Sequence, residues 1–393
     1  MILAELKNDL EKLALHGRLR ECMPILGRQD GCLDILGKKL VDFSSWDYLS
    51  ISTQREVTRA LQITVEERGI SPGSSRTVTG TAVQHLSAEK RLADFLGTES
   101  ALMLSSRNQA MWSLVTAVAT EGDIFYADEH LQSPASDAAY LVNASVETFK
   151  DVSALESLLR TARGHRRRFI VVDSLSPVNG ATADLSRLYA AATRYECNLI
   201  IDESFALGIL GPRGAGGGEV LAIKLNHPVQ RNIFAFVADL SFGIGCYGAA
   251  VAGSKTLIDY VINRSRSLTV DAALPAAIAA ATEAALNAVE LKLADRERIL
   301  TMAQRVKGVI PAPVLLTPLD AASPIVVMLS KKLNVAHEIA AALFRRGIFV
   351  EVLPRATLFD EGGIVRMIFT SAHTEKHIDD LVRALSEIQL RSE

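Results

Sequence analysis

No stretch of this sequence is long and apolar enough to span a membrane, and no cysteine spacing suggests a disulfide framework or a metal site. The cysteines are four, Cys22, Cys32, Cys197 and Cys246. Cys22 and Cys32 stand too far apart for a CxxC ligand pair and no histidine cluster completes a site, so they read as reduced cysteines and no metal is expected. Neither sign of charge dominates: 42 Lys and Arg face 45 Asp and Glu for a net charge of -3, which leaves no case for a nucleic-acid partner. The one basic run, Arg163 to Arg168, reads as a solvated linker before a strand, or less simply as a contact for an anionic surface. The opening segment MILAELKNDLEKLALHGRLR carries charge throughout, so it reads as neither a signal peptide nor a membrane span. Its apolar stripe has helical spacing and would dock on the domain, on a partner subunit or on a membrane surface. A cytoplasmic chain is expected, or one held at a membrane through a partner.

What is present is a regular alternation. Apolar runs such as RRFIVVDSL and NLIIDES are short and nearly continuous, and segments such as DLSRLYAAATRYE between them have helical spacing. Strands buried on both faces and joined by helices imply an α/β fold with a mostly parallel, doubly covered sheet. Residues 1 to 35 read as one or two amphipathic helices, 38 to 51 as a strand and turn, and 69 to 80 as a glycine- and serine-rich loop. After about residue 273 an alanine-rich helical stretch opens a smaller α+β domain. The expected division is 1–50 as an N-terminal helical arm and strand, 51–275 as the large domain, and 276–393 as an interdomain helix with the small domain.

One segment stands out chemically. FVADLSFGIGCYGAAVAG, residues 236 to 253, ends a strand at Asp239-Leu240-Ser241 and opens glycines at 243, 245, 248 and 253. A turn of this kind beside a sheet usually wraps a ligand, yet it holds no lysine or histidine, and its one charge is negative. GPRGAGGGE, 211 to 219, lacks the lysine and spacing of a phosphate loop and reads as a flexible surface loop near an interface.

In order along the chain, DFSSWDYLS, PGSSRTVTGTAVQHLSAEKRLADFLG, VVDSLSPVNG, IIDESFALGILGPRGAGG, the glycine turn, DAALPAA and VRMIFTSAHT resemble the α-oxoamine synthases. That resemblance covers nearly the whole chain. It implies the fold-type I aminotransferase-like architecture, in which pyridoxal phosphate (PLP) enzymes condense an amino acid with an acyl-CoA and release CO₂. It also implies what each position would do. The Schiff-base lysine falls on Phe242 and the phosphate-binding Ser/Thr on Asp239, beside Ser241. The aspartate paired with the pyridine nitrogen is Asp202. A histidine three residues on becomes Phe205, and the ring-stacking histidine becomes Gln132, with His130 close by. An asparagine becomes Trp46, an R-x-R pair becomes Ile364 and Arg366, and threonines that reach across a dimer align with Asp271 and Ala272.

Phenylalanine cannot form an imine, and a carboxylate repels a phosphate, so these positions imply that PLP binding is lost. The pattern is similar to the lysine-lacking, noncatalytic subunit of eukaryotic serine palmitoyltransferase. It implies a structural subunit of an acyltransferase in sphingolipid biosynthesis, paired as a dimer with a lysine-bearing homologue or with itself, and touching an acyl-CoA or other acyl thioester. Two alternatives stay open. One is a PLP-independent enzyme in the thioester cleft, with His130, His85, Asp202, Asp239 and Asp271 as acid–base groups and Cys246 as nucleophile. The other is a metabolite-binding homodimer. Arg76 and His85 read as interface hydrogen-bonders or ligand contacts, and Arg366 as a salt-bridge arginine or an anion ligand.

Overall fold

The computed structural model describes residues 2–129, 134–227, 233–354 and 362–388. Helix α1 (Ile2–Leu15) is followed by the short strands β1 (Gly27–Gln29), β2 (Cys32–Ile35) and β3 (Lys38–Asp42), then by helices α2 (Arg55–Arg68) and α3 (Val83–Leu96). Strands and helices then alternate: β4 (Ser100–Leu104), α4 (Arg107–Val118), β5 (Ile124–Asp128), α5 (Ala135–Leu141), β6 (Ser145–Phe149), α6 (Val152–Thr161), β7 (Arg168–Asp173) and α7 (Leu185–Arg194). The series continues with β8 (Asn198–Asp202), α8 (Gly217–Leu225), β9 (Ile233–Asp239) and β10 (Ala249–Gly253). Helices α9 (Lys255–Arg264), α10 (Arg266–Val270), α11 (Ala276–Glu290) and α12 (Leu293–Lys307) follow. The last elements are β11 (Ile325–Ser330), α13 (Leu333–Arg345), β12 (Ile348–Phe349), β13 (Glu351–Pro354), β14 (Gly363–Ile368) and α14 (Glu375–Glu387).

Two compact units result, Trp46–Glu297 and Met1–Ser45 with Arg298–Glu393. The first holds a seven-stranded sheet in the order β4-β10-β9-β8-β7-β5-β6. Strand β10 runs antiparallel to both β4 and β9, and the other pairings are parallel. This is the mixed, mostly parallel α/β sheet that the alternation implied. Leu102, Phe125, Val171, Ile200, Val237 and Val251 from the strands pack with Met111, Leu114 and Val115 of α4 and with Leu257, Ile258 and Val261 of α9. Each such buried side chain contributes roughly 1.5–3 kcal/mol, so the sheet is a rigid platform. Its parallel strands end side by side at Asp173, Asp202 and Asp239, the carboxyl edge where open α/β sheets take their ligands.

The second unit holds a three-stranded antiparallel sheet, β11-β14-β13, and a four-stranded one, β1-β2-β3-β12. His373 is buried there, stacked on Phe43 at 4.3 Å and 12°. Its Nδ1 accepts from Thr370 N at 2.9 Å and its Nε2 donates to Asp42 O at 3.0 Å. Burial pushes its pKa down to about 4, so the ring is neutral.

Two local expectations fail for identifiable reasons. Only the first half of 1–35 is helical; β1 and β2 form a hairpin around Asp30-Gly31, whose φ angles are 53° and 71°. An Asp-Gly pair with both residues at positive φ is a strong two-residue hairpin signal, and the strands beside it are too short to show alternation. The run 211–219 is not a loose surface loop either. Gly214 to Gly218 are buried, and Gly217 begins α8. No helix among the described residues is long and apolar enough to cross a membrane.

Candidate active site

The floor of the site is built by the ends of β7 and β8 and the start of α4. Asp202 Oδ1 accepts from Ser204 N at 3.0 Å, and Oδ2 accepts from Arg107 Nε at 2.8 Å. Arg107 Nη2 lies 2.8 Å from the same Oδ2 and donates to Asp173 Oδ1 at 2.9 Å. The three side chains are 0%, 11% and 4% exposed for Asp202, Arg107 and Asp173, so the charges act on each other in a poorly hydrated space. Burial works against the guanidinium, but Asp202 and Asp173 outweigh it and its pKa is raised.

Asp239 ends the neighbouring strand. Its carboxyl is pushed upward by burial, although Ser241 donates to Oδ1 from both its backbone N–H and its hydroxyl. The glycine turn then doubles back. Leu240 N donates to Gly248 O at 2.9 Å and Cys246 N to Leu240 O at 2.8 Å. Gly248 has φ 100°, and a Cβ there would meet Leu104 O at 2.8 Å, so this path needs glycine.

Rings line the space above the floor. Phe242 stacks on Phe205 with centroids 4.9 Å apart and planes at 18°. Trp46 lies 5.0 Å from Phe205 and 5.1 Å from Phe242. Arg107 Cζ sits 5.1 Å from the Phe205 centroid. Tyr48 Oη, 3.2 Å from Phe205 O, donates to that carbonyl and pins the segment.

The other sequence candidates of this unit are structural in their contacts. Arg76 makes a two-point pair with Glu89 at 2.7 and 3.1 Å and also bonds Thr81 Oγ1 at 3.0 Å. His85 is fully buried; its Nδ1 accepts from Ala82 N at 3.0 Å and its Nε2 donates to Leu274 O at 2.7 Å. Burial lowers its pKa, so it stays neutral with both nitrogens engaged. Asp271 is exposed and accepts from Gln109 Nε2 at 3.2 Å. The Cys246 thiol is pushed up to about 12 by burial, which leaves it unionised and a poor nucleophile at neutral pH. Arg366 belongs to the other unit, where its Nε and Nη2 both donate to Glu351 Oε2, at 2.9 and 2.8 Å. Ile364 lies beside it in β14. His130 and Gln132 lie outside the described residues.

Two functional-looking groups escaped the sequence reading. Arg107 is one; a cation in the first turn of an N-capped helix opposes the helix dipole, and that misfit was its signal. Glu203 is the other. It is fully buried, and Gly217 N and Gly218 N donate to its two oxygens at 2.8 and 2.7 Å while Ser174 Oγ donates to Oε2. Burial outweighs these donors and raises its pKa to about 7.

Residues 38–385 match the family model described as aminotransferase class I and II. The chain belongs to that family, and its fold is the fold-type I aminotransferase-like one. It is 30% identical over 381 residues to an 8-amino-7-oxononanoate synthase of Marinobacter nauticus, spanning 96% of this chain and 95% of that one. Among solved structures, serine palmitoyltransferase of Sphingomonas wittichii superposes with a TM-score of 0.88 at 20% identity, over 97% of this chain and 96% of that one. A lysine-to-alanine variant of serine palmitoyltransferase from S. paucimobilis, with a bound PLP–myriocin aldimine, gives 0.88 at 21% identity and the same coverage.

These findings correct two expectations. The noncatalytic subunit is overturned, because the full-length relatives are synthases, which are catalysts. The expected absence of PLP is overturned with it, since this is the family of PLP enzymes and solved neighbours hold that cofactor. The physical fault lay in taking the loss of individual contacts, at Phe242, Asp239 and the other aligned positions, for the loss of the cofactor. Phe242 excludes one covalent bond to the chain; it does not exclude a cofactor held by other contacts or bonded to a ligand's amine. The residues in place nevertheless do not fit PLP anchored through residue 242, which offers no amine, above an Asp202 whose Oδ2 already serves two Arg107 donors.

Proposed function

We propose that this chain is an acyltransferase of the α-oxoamine synthase kind, joining the acyl group of a thioester to an amino-acid substrate. The observation that carries this reading is the similarity to 8-amino-7-oxononanoate synthases over almost the whole length of both chains. The carboxylate floor at the strand ends and the glycine turn beside it support it.

PLP supplies an electron sink to an amino acid joined to it. In the S. paucimobilis variant the cofactor is bonded to its ligand in a protein that has lost a lysine. The reading for this chain is the same: a cofactor held by side-chain contacts and by its ligand, without a bond to residue 242. Of the chain's own groups, Asp202 would hold a proton donor at the ring edge, and Trp46, Phe205 and Phe242 would exclude water.

The chain is also read as half of a dimer. Val78, Val83, Leu86 and Val270 are 70%, 65%, 57% and 75% exposed around Arg76, His85 and Asp271, an apolar rim suited to a second copy. Sedimentation of the pure chain tests that.

The activity is tested by supplying PLP, single amino acids and a series of acyl-CoA thioesters, then measuring free thiol and the condensed product by mass spectrometry. Thiol release that needs both amino acid and thioester, and that Asp202→Ala removes, is expected. No release above the blank with any pair contradicts the reading.

A further inference from the structure

Arg107 brings a positive charge to a place that two effects oppose. It is the first residue of α4, directly after the Ser106 N-cap, where the helix end is itself partly positive. Its side chain is also only 11% exposed. Both penalties are offset by Asp202 and Asp173, with Asp239 adding to the negative surroundings.

The contacts it makes have a recognisable form. At its edge the planar guanidinium donates to Asp202, and its centre lies over the face of Phe205, which is stacked in turn on Phe242. An edge hydrogen bond to a carboxylate combined with stacking on an aromatic face is what a protonated heterocycle would make in the same place. Oδ1 of Asp202 is occupied by Ser204 N and Oδ2 by Nε and Nη2 of Arg107. Oδ2 therefore has both of its acceptor sites filled, and a ring nitrogen that is to donate to it requires the guanidinium to leave.

We propose that Arg107 is the specificity-determining residue of this floor: an internal counter-cation that a cationic heterocycle must displace from Asp202, and that thereby sets how tightly the site takes pyridoxal phosphate. The inference rests on the reading that the site takes this cofactor, and it adds the residue that controls entry. Removing Arg107 alone would strand two buried carboxylates, so the clean variant also neutralises the second of them.

Pyridoxal phosphate is titrated into the full chain without amino acid or thioester. Binding is followed by quenching of tryptophan emission and by the shift in melting temperature, for wild type, Arg107→Gly with Asp173→Asn, and Arg107→Lys. The double variant is expected to bind on the order of tenfold more tightly than wild type. Arg107→Lys, which keeps the charge but loses the Nε donor to Asp202 and the planar face over Phe205, is expected to fall between them. Equal affinity for all three, within about twofold, overturns the proposal. An equal gain for inorganic phosphate also overturns it, because the variants would then act on an anion and not at Asp202. If the double variant does not fold, the lysine variant decides: tighter binding than wild type supports the gate and unchanged binding removes it. No turnover is read, so a failed acyl-transfer assay leaves this result standing, and a failed gate leaves that assay untouched.

Discussion

Asp202 and Glu203 are adjacent in the chain and both buried, yet they are held in different ways. Glu203 takes its hydrogen bonds from two backbone amides at the start of α8 and one hydroxyl. Asp202 takes its charged partner from a side chain, Arg107, on another element. Backbone donors are fixed by the fold and survive substitution nearby; a side-chain donor can be exchanged at a single position. Glu203 thus belongs to the scaffold that joins β8 to α8. Asp202 belongs to a site whose partner, charge and ligand can change while the sheet stays as it is.

The strongest way to break this contrast is to remove the exchangeable partner. Arg107→Met leaves Asp202 and Asp173 buried without their cation and is expected to cost about 3–5 kcal/mol in denaturant unfolding. A loss under about 1 kcal/mol would show that the pair is not the floor's main support. Next comes Glu203→Ala, which strands the two amides of α8 and is expected to cost roughly 2–4 kcal/mol. Its effect should be local to α8, read as faster amide exchange at 217 and 218.

A pH series sharpens the same comparison. Because the pKa of Glu203 is raised to about 7, the folded chain holds its proton more tightly than the unfolded chain does. The resulting stability is present below the unfolded carboxyl value and is lost as pH rises through about 7. Relative to Glu203→Gln, wild type should lose on the order of 3 kcal/mol across that window. Parallel profiles would show that Glu203 does not titrate there. The smallest effect is expected at Cys246. Its thiol, pushed up to about 12, should resist alkylation at neutral pH, and Cys246→Ala should cost less than about 1.5 kcal/mol. Rapid alkylation in the native state would contradict the raised pKa of this half-buried thiol.

The α/β fold was legible because its signals are redundant: FIVVD and NLIID are buried on both faces, and the helices between them are long enough to show their period. The hairpin of β1 and β2 was not, since strands of three and four residues carry no period and only Asp30-Gly31 marks the turn. At the site, sequence identified single residues but not their pairing. Phe205, Phe242 and Trp46 were each singled out, while the stack they form with Arg107 depends on a register that only the folded sheet supplies. Reading Phe242, Asp239 and their aligned neighbours as the end of catalysis erred for the same reason, because side chains taken one at a time were made to stand for a whole site.

The most direct measurement puts back the missing amine. Phe242→Lys, made together with Arg107→Gly and Asp173→Asn, is mixed with pyridoxal phosphate, reduced with borohydride and mapped by mass spectrometry. If the turn follows the Schiff-base path and Arg107 holds the ring's place on Asp202, the cofactor is found on residue 242, and far less of it when Arg107 and Asp173 are left intact. Modification of surface lysines alone, with residue 242 untouched in both backgrounds, would contradict both parts of that claim.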